Sequence, residues 1–129
     1  MTSTTQSRNY SKEDLYAQGL KCCTAGEFTE AIAAFKQVIA IEPKFCPAWN
    51  NYGNALSALK QYGQALAAYD RAVALNPQYH QAWFNRGQLF QEMGAYGNAQ
   101  ECYQRAIAIS PDPIYFHAKE GLFINKKLY

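Results

Sequence analysis

The 129-residue sequence is poor in charge: 17% of it is Asp, Glu, Lys or Arg, and the balance leaves a net +2. So weak a field argues against nucleic acid or an anionic membrane as the partner. There is no apolar run near the roughly 18 residues that a membrane span needs. The opening stretch, Met1 to Ser11, is rich in Ser and Thr and lacks the apolar core of a secretory signal. A disordered tail over residues 1–11 and a cytoplasmic location are therefore expected. The cysteines Cys22, Cys23, Cys46 and Cys102 form no Cys-x-x-Cys, which points to thiols packing as small apolar residues rather than to zinc or disulfides. The only histidines, His80 and His117, have no cysteine or paired carboxylates near them in sequence. No phosphate loop and no nucleophile elbow is visible, and the acidic residues are few and scattered. The expectation is a protein that is not an enzyme and takes no cofactor or metal.

What the chain does have is repetition. Trp49 recurs as Trp83, Gly53 as Gly87, Ala65 as Ala99, Tyr69 as Tyr103, Ala72 as Ala106 and Pro77 as Pro111, each at an offset of 34. The frame runs backwards through Gly19, Ala31, Phe35 and Pro43, and forwards to Gly121, 34 after Gly87. A fixed offset of this length is the mark of stacked repeats. Three repeats follow, 12–45, 46–79 and 80–113, with a half repeat at 114–129 that supplies a capping helix. Each repeat reads as two amphipathic helices, broken at Gly26-Glu27-Phe28, Lys60-Gln61-Tyr62-Gly63 and Gly94-Ala95-Tyr96-Gly97, and closed by proline. Ser11 with Asp14 is a start signal for the first helix, and Thr29 is a candidate cap for the second. Glycine inside a helix costs about 1 kcal/mol against alanine, so Gly19, Gly53, Gly87 and Gly121 predict close approach of a neighbouring helix. Ala31, Ala65 and Ala99 play the same part on the second helices. Trp49, Trp83, Phe35, Tyr69 and Tyr103 are expected as core. The cap is expected to pack through Ile114, Phe116, Phe123 and Ile124. Phe116, Leu122, Phe123 and Leu128 cannot all be buried on one face, so either the cap is leaky or another molecule, such as a second copy, covers it.

The pattern Trp-x-x-Leu-Gly-x-x-Tyr, Ala-x-x-x-Phe, Pro is carried here by Trp49, Tyr52, Gly53, Leu56, Ala65, Tyr69 and Pro77, and again by Trp83, Arg86, Gly87, Phe90, Ala99, Tyr103 and Pro111. In this the chain resembles the tetratricopeptide repeat family. The first repeat departs from it, with Leu15 and Cys22 in the tryptophan and tyrosine positions, while His117 takes the tryptophan position of the half repeat. The resemblance implies an all-α, right-handed superhelical solenoid of about seven helices. It implies that the first helix of each repeat lines a concave groove for a protein or peptide.

The residues this places in the groove are Tyr16 and Leu20 from repeat 1, with Glu13, Ala17 and Thr24 beside them. Repeat 2 gives Asn50, Asn51 and Asn54, with Pro47 and Ser57. Repeat 3 gives Gln81, Phe84, Asn85 and Gln88, with Gln91, and the cap gives Tyr115 and Lys119, with Ala118 and Leu122. The face is dense in amides, which can both donate to and accept from a peptide main chain. Asn51 and Asn85 would be two rungs of a ladder, similar to asparagines in the repeat domain of O-linked N-acetylglucosamine transferase. An extended, neutral or apolar peptide or a partner helix is the expected ligand, for an adaptor, assembly factor or scaffold. Self-association into a homo-oligomer, or service as an appendage of a larger system, is the alternative. Family members that hold acidic chaperone tails use three cations and two asparagines, and the matching positions here are Tyr16, Leu20, Asn51, Gln81 and Asn85. Only Asn51 fits, so such tails are not expected to bind.

Overall fold

Ser11 opens the first helix: its hydroxyl accepts the Asp14 amide at 3.0 Å, and Glu13 and Asp14 lie in the first turn, where negative charge suits the helix dipole. The computed structural model describes residues 10–128, and the side chains of residues 10–122. Most of the expected tail, and the side chains of Phe123, Ile124 and Leu128, thus lie outside what is described. Among the described residues seven helices succeed one another: α1 (Lys12–Thr24), α2 (Phe28–Ile41), α3 (Cys46–Ala58), α4 (Tyr62–Leu75), α5 (His80–Glu92), α6 (Tyr96–Ile109) and α7 (Pro113–Leu128). There is no strand among the described residues. No helix among them is long and apolar enough to cross a membrane.

Each pair, α1–α2, α3–α4 and α5–α6, is closed by a tight turn. Gly26 (φ 78°) and Gly94 (φ 79°) adopt the left-handed conformation there, and Lys60 (φ 62°) takes it without being glycine. The Glu27 amide reaches back to the Cys22 carbonyl at 2.8 Å, satisfying the helix end. Thr29 does not cap α2. The N-cap is Glu27, with no side-chain bond, because the helix begins two residues earlier than that role requires.

Packing follows the glycine positions. A Cβ built on Gly19, Gly53 or Gly87 would stand 2.4, 2.7 or 2.6 Å from the ring of Phe35, Tyr69 or Tyr103. Each pair therefore closes as a buried aromatic ring laid on a bare stretch of helix. The buried clusters run along the stack and join neighbouring pairs, for example Leu56, Tyr69 and Leu89, then Phe90, Tyr103 and Leu122. Trp49 and Trp83 are half-buried rather than core. They sit where helix meets linker, and their indole N–H groups donate to the Pro43 and Pro77 carbonyls at 2.6 and 2.8 Å.

The last helix breaks the 34-residue frame. Glu42 to Phe45 and Asn76 to Tyr79 are four-residue linkers, but Ser110 to Asp112 has three, so α7 starts 33 residues after α5. Its buried residues follow suit: Tyr115 and Leu122 occupy the places of Ala82 and Leu89, again 33 apart. This corrects three expectations. Gly121 is not the counterpart of Gly87, and a Cβ on it meets nothing within 4 Å. The tryptophan place belongs to Phe116, not His117. The cap packs through Tyr115 and Leu122, whereas Ile114 (61%) and Phe116 (46%) are exposed.

Candidate binding groove

The first helices touch one another along the stack, α1 with α3 and α3 with α5, while α2, α4 and α6 make no comparable contacts among themselves. A stack closer together on one side than the other curves towards that side, so α1, α3 and α5 line the concave face. Two depressions lie along it, of about 400 and 420 Å³. One is walled by Asn50, Asn51, Asn54, Gln81, Phe84, Asn85, Asp112, Ile114 and Tyr115. The other runs from Asn54 and Asn85 past Ser57, Tyr69, Gln88 and Leu89 to Lys60, Tyr62 and Glu92. They share Asn54 and Asn85, and so form one groove crossing α3 and α5.

The amides of α3 are committed to the protein itself. Asn51 spends its side-chain donors on the Tyr16 hydroxyl and the Pro47 carbonyl, both at 2.9 Å. Its oxygen accepts from Asn54, whose own oxygen takes the Tyr69 hydroxyl at 2.5 Å. Asn50 is 3% exposed and is a buried residue rather than a groove ligand. It bonds the Tyr79 phenol and accepts from Asn85 at 3.0 Å, because a buried amide must be satisfied from within. Burial pushes the phenols of Tyr16 and Tyr69 up, and that of Tyr79 up to about 12. All three therefore keep their protons at neutral pH.

On α5 the amides are less committed: Asn85 spends one donor on Asn50 and keeps its oxygen, and only Gln91, which accepts the Tyr103 hydroxyl at 2.8 Å, is turned to the core. Gln81 and Gln88 are exposed and Asn85 is half-buried. At spacings of four and three residues they lie on one helical face. Phe84 is half-buried and stacks on Tyr115, with centroids 4.7 Å apart. Tyr115 itself is 5% exposed and meets His80 Nδ1 at 2.7 Å, so it forms the end wall of the groove more than a contact surface. Leu20 (exposed) and Lys119 (half-buried) border neither depression. Leu122 is buried in the core and does not face the groove.

Sequence reasoning missed Tyr79, His80 and Asp112. A readable signal existed for His80. Tyr16–Asn51, Asn50–Asn85 and His80–Tyr115 are all polar pairs 35 residues apart, one repeat plus one residue. That offset joins adjacent first helices. Among the described residues no buried side-chain polar atom lacks a partner, and no group of three metal-binding side chains occurs.

The tetratricopeptide repeat profile matches residues 53–118, just over half of the chain, and a second profile of the same description matches residues 34–67. The chain belongs to the tetratricopeptide repeat family. Solved structures of the family superimpose on it closely. A crystal structure of MamA has a TM-score of 0.87 at 24% identity, covering 98% of this chain and 75% of that one. The first repeat domain of Spaghetti (RPAP3), bound to the HSP90 peptide SRMEEVD, gives 0.86 at 22%, covering 90% and 95%. The Sgt2 repeat domain from Aspergillus fumigatus gives 0.85 at 23%, covering 90% and 79%. No curated protein matches the chain. At these identities the tetratricopeptide repeat likeness is one of fold, and fold does not carry a ligand across.

Proposed function

We propose that this tetratricopeptide repeat chain is a non-catalytic protein-interaction module that binds an extended peptide or partner helix in its concave groove. The observation that carries the reading is the amide face of α5, where Gln81 and Gln88 are exposed and Asn85 keeps its oxygen, set along two depressions while the α3 amides are spent internally. Open amides pair with a peptide main chain whatever its sequence. The ladder expected from Asn51 and Asn85 thus shifts onto one helix. Acidic chaperone tails are poor candidates: at the positions a carboxylate clamp would use stand Tyr16, Leu20, Asn51, Gln81 and Asn85, with no cation among them. The groove's charged residues are Lys60 against Glu92 and Asp112. We read it as an adaptor or scaffold, and we place it in the cytoplasm, where the free thiols of Cys22, Cys46 and Cys102, all buried, would stay reduced.

The test is to pan a random-peptide library against the wild-type chain and against Gln81→Ala/Gln88→Ala. Both residues are exposed, so the double variant is expected to keep its stability within about 0.5 kcal/mol. Peptides selected by the wild type should lose about tenfold in affinity for the variant, the size of one to two hydrogen bonds. Undiminished affinity would move recognition off α5.

A second reading is self-association, favoured by the exposure of Ile114 and Phe116 on α7. Sedimentation equilibrium tests it. A dimer weakened by Phe116→Ser is expected if copies meet there, and a strict monomer at high micromolar concentration rules the reading out.

A further inference from the structure

The shortened linker before α7 does more than shift a register. It is also where Asp112 and Ile114 join the wall of the groove. In the depression they share, Asp112 is the one charged residue; the remaining walls are amides, aromatics and Ile114. One carboxylate oxygen of Asp112 accepts the Ile114 amide at 2.9 Å, which ties the side chain to the wall of the depression it lines. Phe84 and Tyr115, stacked 4.7 Å apart, form an aromatic wall, and Ile114 stands exposed as the lip. Gln81 and Asn85 supply further acceptor oxygens from α5.

We propose that this depression takes an arginine side chain of the bound peptide. The inference rests on the peptide-groove reading. An apolar lip and an aromatic face suit the three-methylene stem, and a carboxylate with amide oxygens around it suits a planar cation that carries five donors. A glutamate side chain would meet Asp112 with like charge. An aliphatic one would fill the wall and leave the carboxylate without a cation. The pocket refines the expectation of a neutral ligand: the groove accepts an apolar or neutral segment carrying one cation.

The test uses the full chain, labelled with nitrogen-15, and three blocked amino acids: N-acetyl-arginine methylamide and its citrulline and norleucine analogues. Citrulline keeps the shape of arginine without its charge. All three differ only in the side chain, so the pocket is read without knowing the natural peptide. We expect the backbone amides of Phe84, Asn85 and Ile114 to shift with the arginine compound. Its affinity should exceed that of the citrulline compound by about fivefold at low salt, and by less as salt screens the pair. Asp112→Asn keeps an oxygen to cap Ile114 and should reduce the arginine compound to the citrulline level. Equal shifts from all three compounds would overturn the arginine pocket and leave the peptide groove standing. Shifts confined to residues outside the two depressions would overturn both.

Discussion

α5 and α7 both take the first-helix place of a repeat and bury matching positions, yet among the described residues only α5 is followed by a second helix. α5 carries Gly87 with the Tyr103 ring laid against it, whereas α7 carries Gly121 with nothing near it. Trp83, in the α5 pair, is half-buried and has the guanidinium of Arg105, from α6, over its ring. Phe116, in the same place on α7, is 46% exposed. The same residue type therefore means different things in the two helices. A glycine is a packing site only where register and a neighbouring ring meet it, and an aromatic is core only where something covers it.

The largest test of that contrast is to remove the aromatic on each side. Tyr103 is fully buried, so Tyr103→Ala should cost about 3–5 kcal/mol by urea denaturation, while Phe116→Ala should change stability by no more than about 0.5 kcal/mol. A large loss at Phe116 would mean that α7 is covered in solution. A smaller test with opposite signs comes from the glycines. Gly87→Ala forces a Cβ against the Tyr103 ring, and overpacking of about 1–3 kcal/mol outweighs the helix-propensity gain of about 1 kcal/mol. Gly121→Ala collects the propensity gain alone and should stabilise by about 0.5–1 kcal/mol. Equal effects at the two sites would break the comparison.

The α-helical solenoid was legible because its signals are local and repeated. The 34-residue offset, the Ser11 cap and the glycine–aromatic pairs each appear in the chain as plain residue identities. Two things were harder. One is the state of the amides. Asn51 and Asn85 are identical in type and frame, but Asn51 bonds Tyr16, Pro47 and Asn54 whereas Asn85 bonds Asn50 alone, and these partners are visible only when helices are laid side by side. The other is the register of α7. Gly121 falls 34 after Gly87 by coincidence and hid the missing residue in Ser110-Pro111-Asp112. Pro113 was the better sign, since proline is favoured at a helix's first position. Burial of Leu122 in place of exposure follows from that single deletion.

The two tryptophans also decide what an optical experiment on this molecule can see. Trp49 and Trp83 are both tied by their indole N–H groups to the linkers in front of α3 and α5, and neither lies in the first pair or in α7. Tryptophan emission is thus a reporter of the middle of the stack and is blind to its ends. In a molecule whose units contact only their neighbours, ends can melt before the centre. A loss of far-ultraviolet ellipticity that precedes the change in emission would then mark fraying from the termini, and a two-state fit to emission alone would overstate the cooperativity of the whole chain.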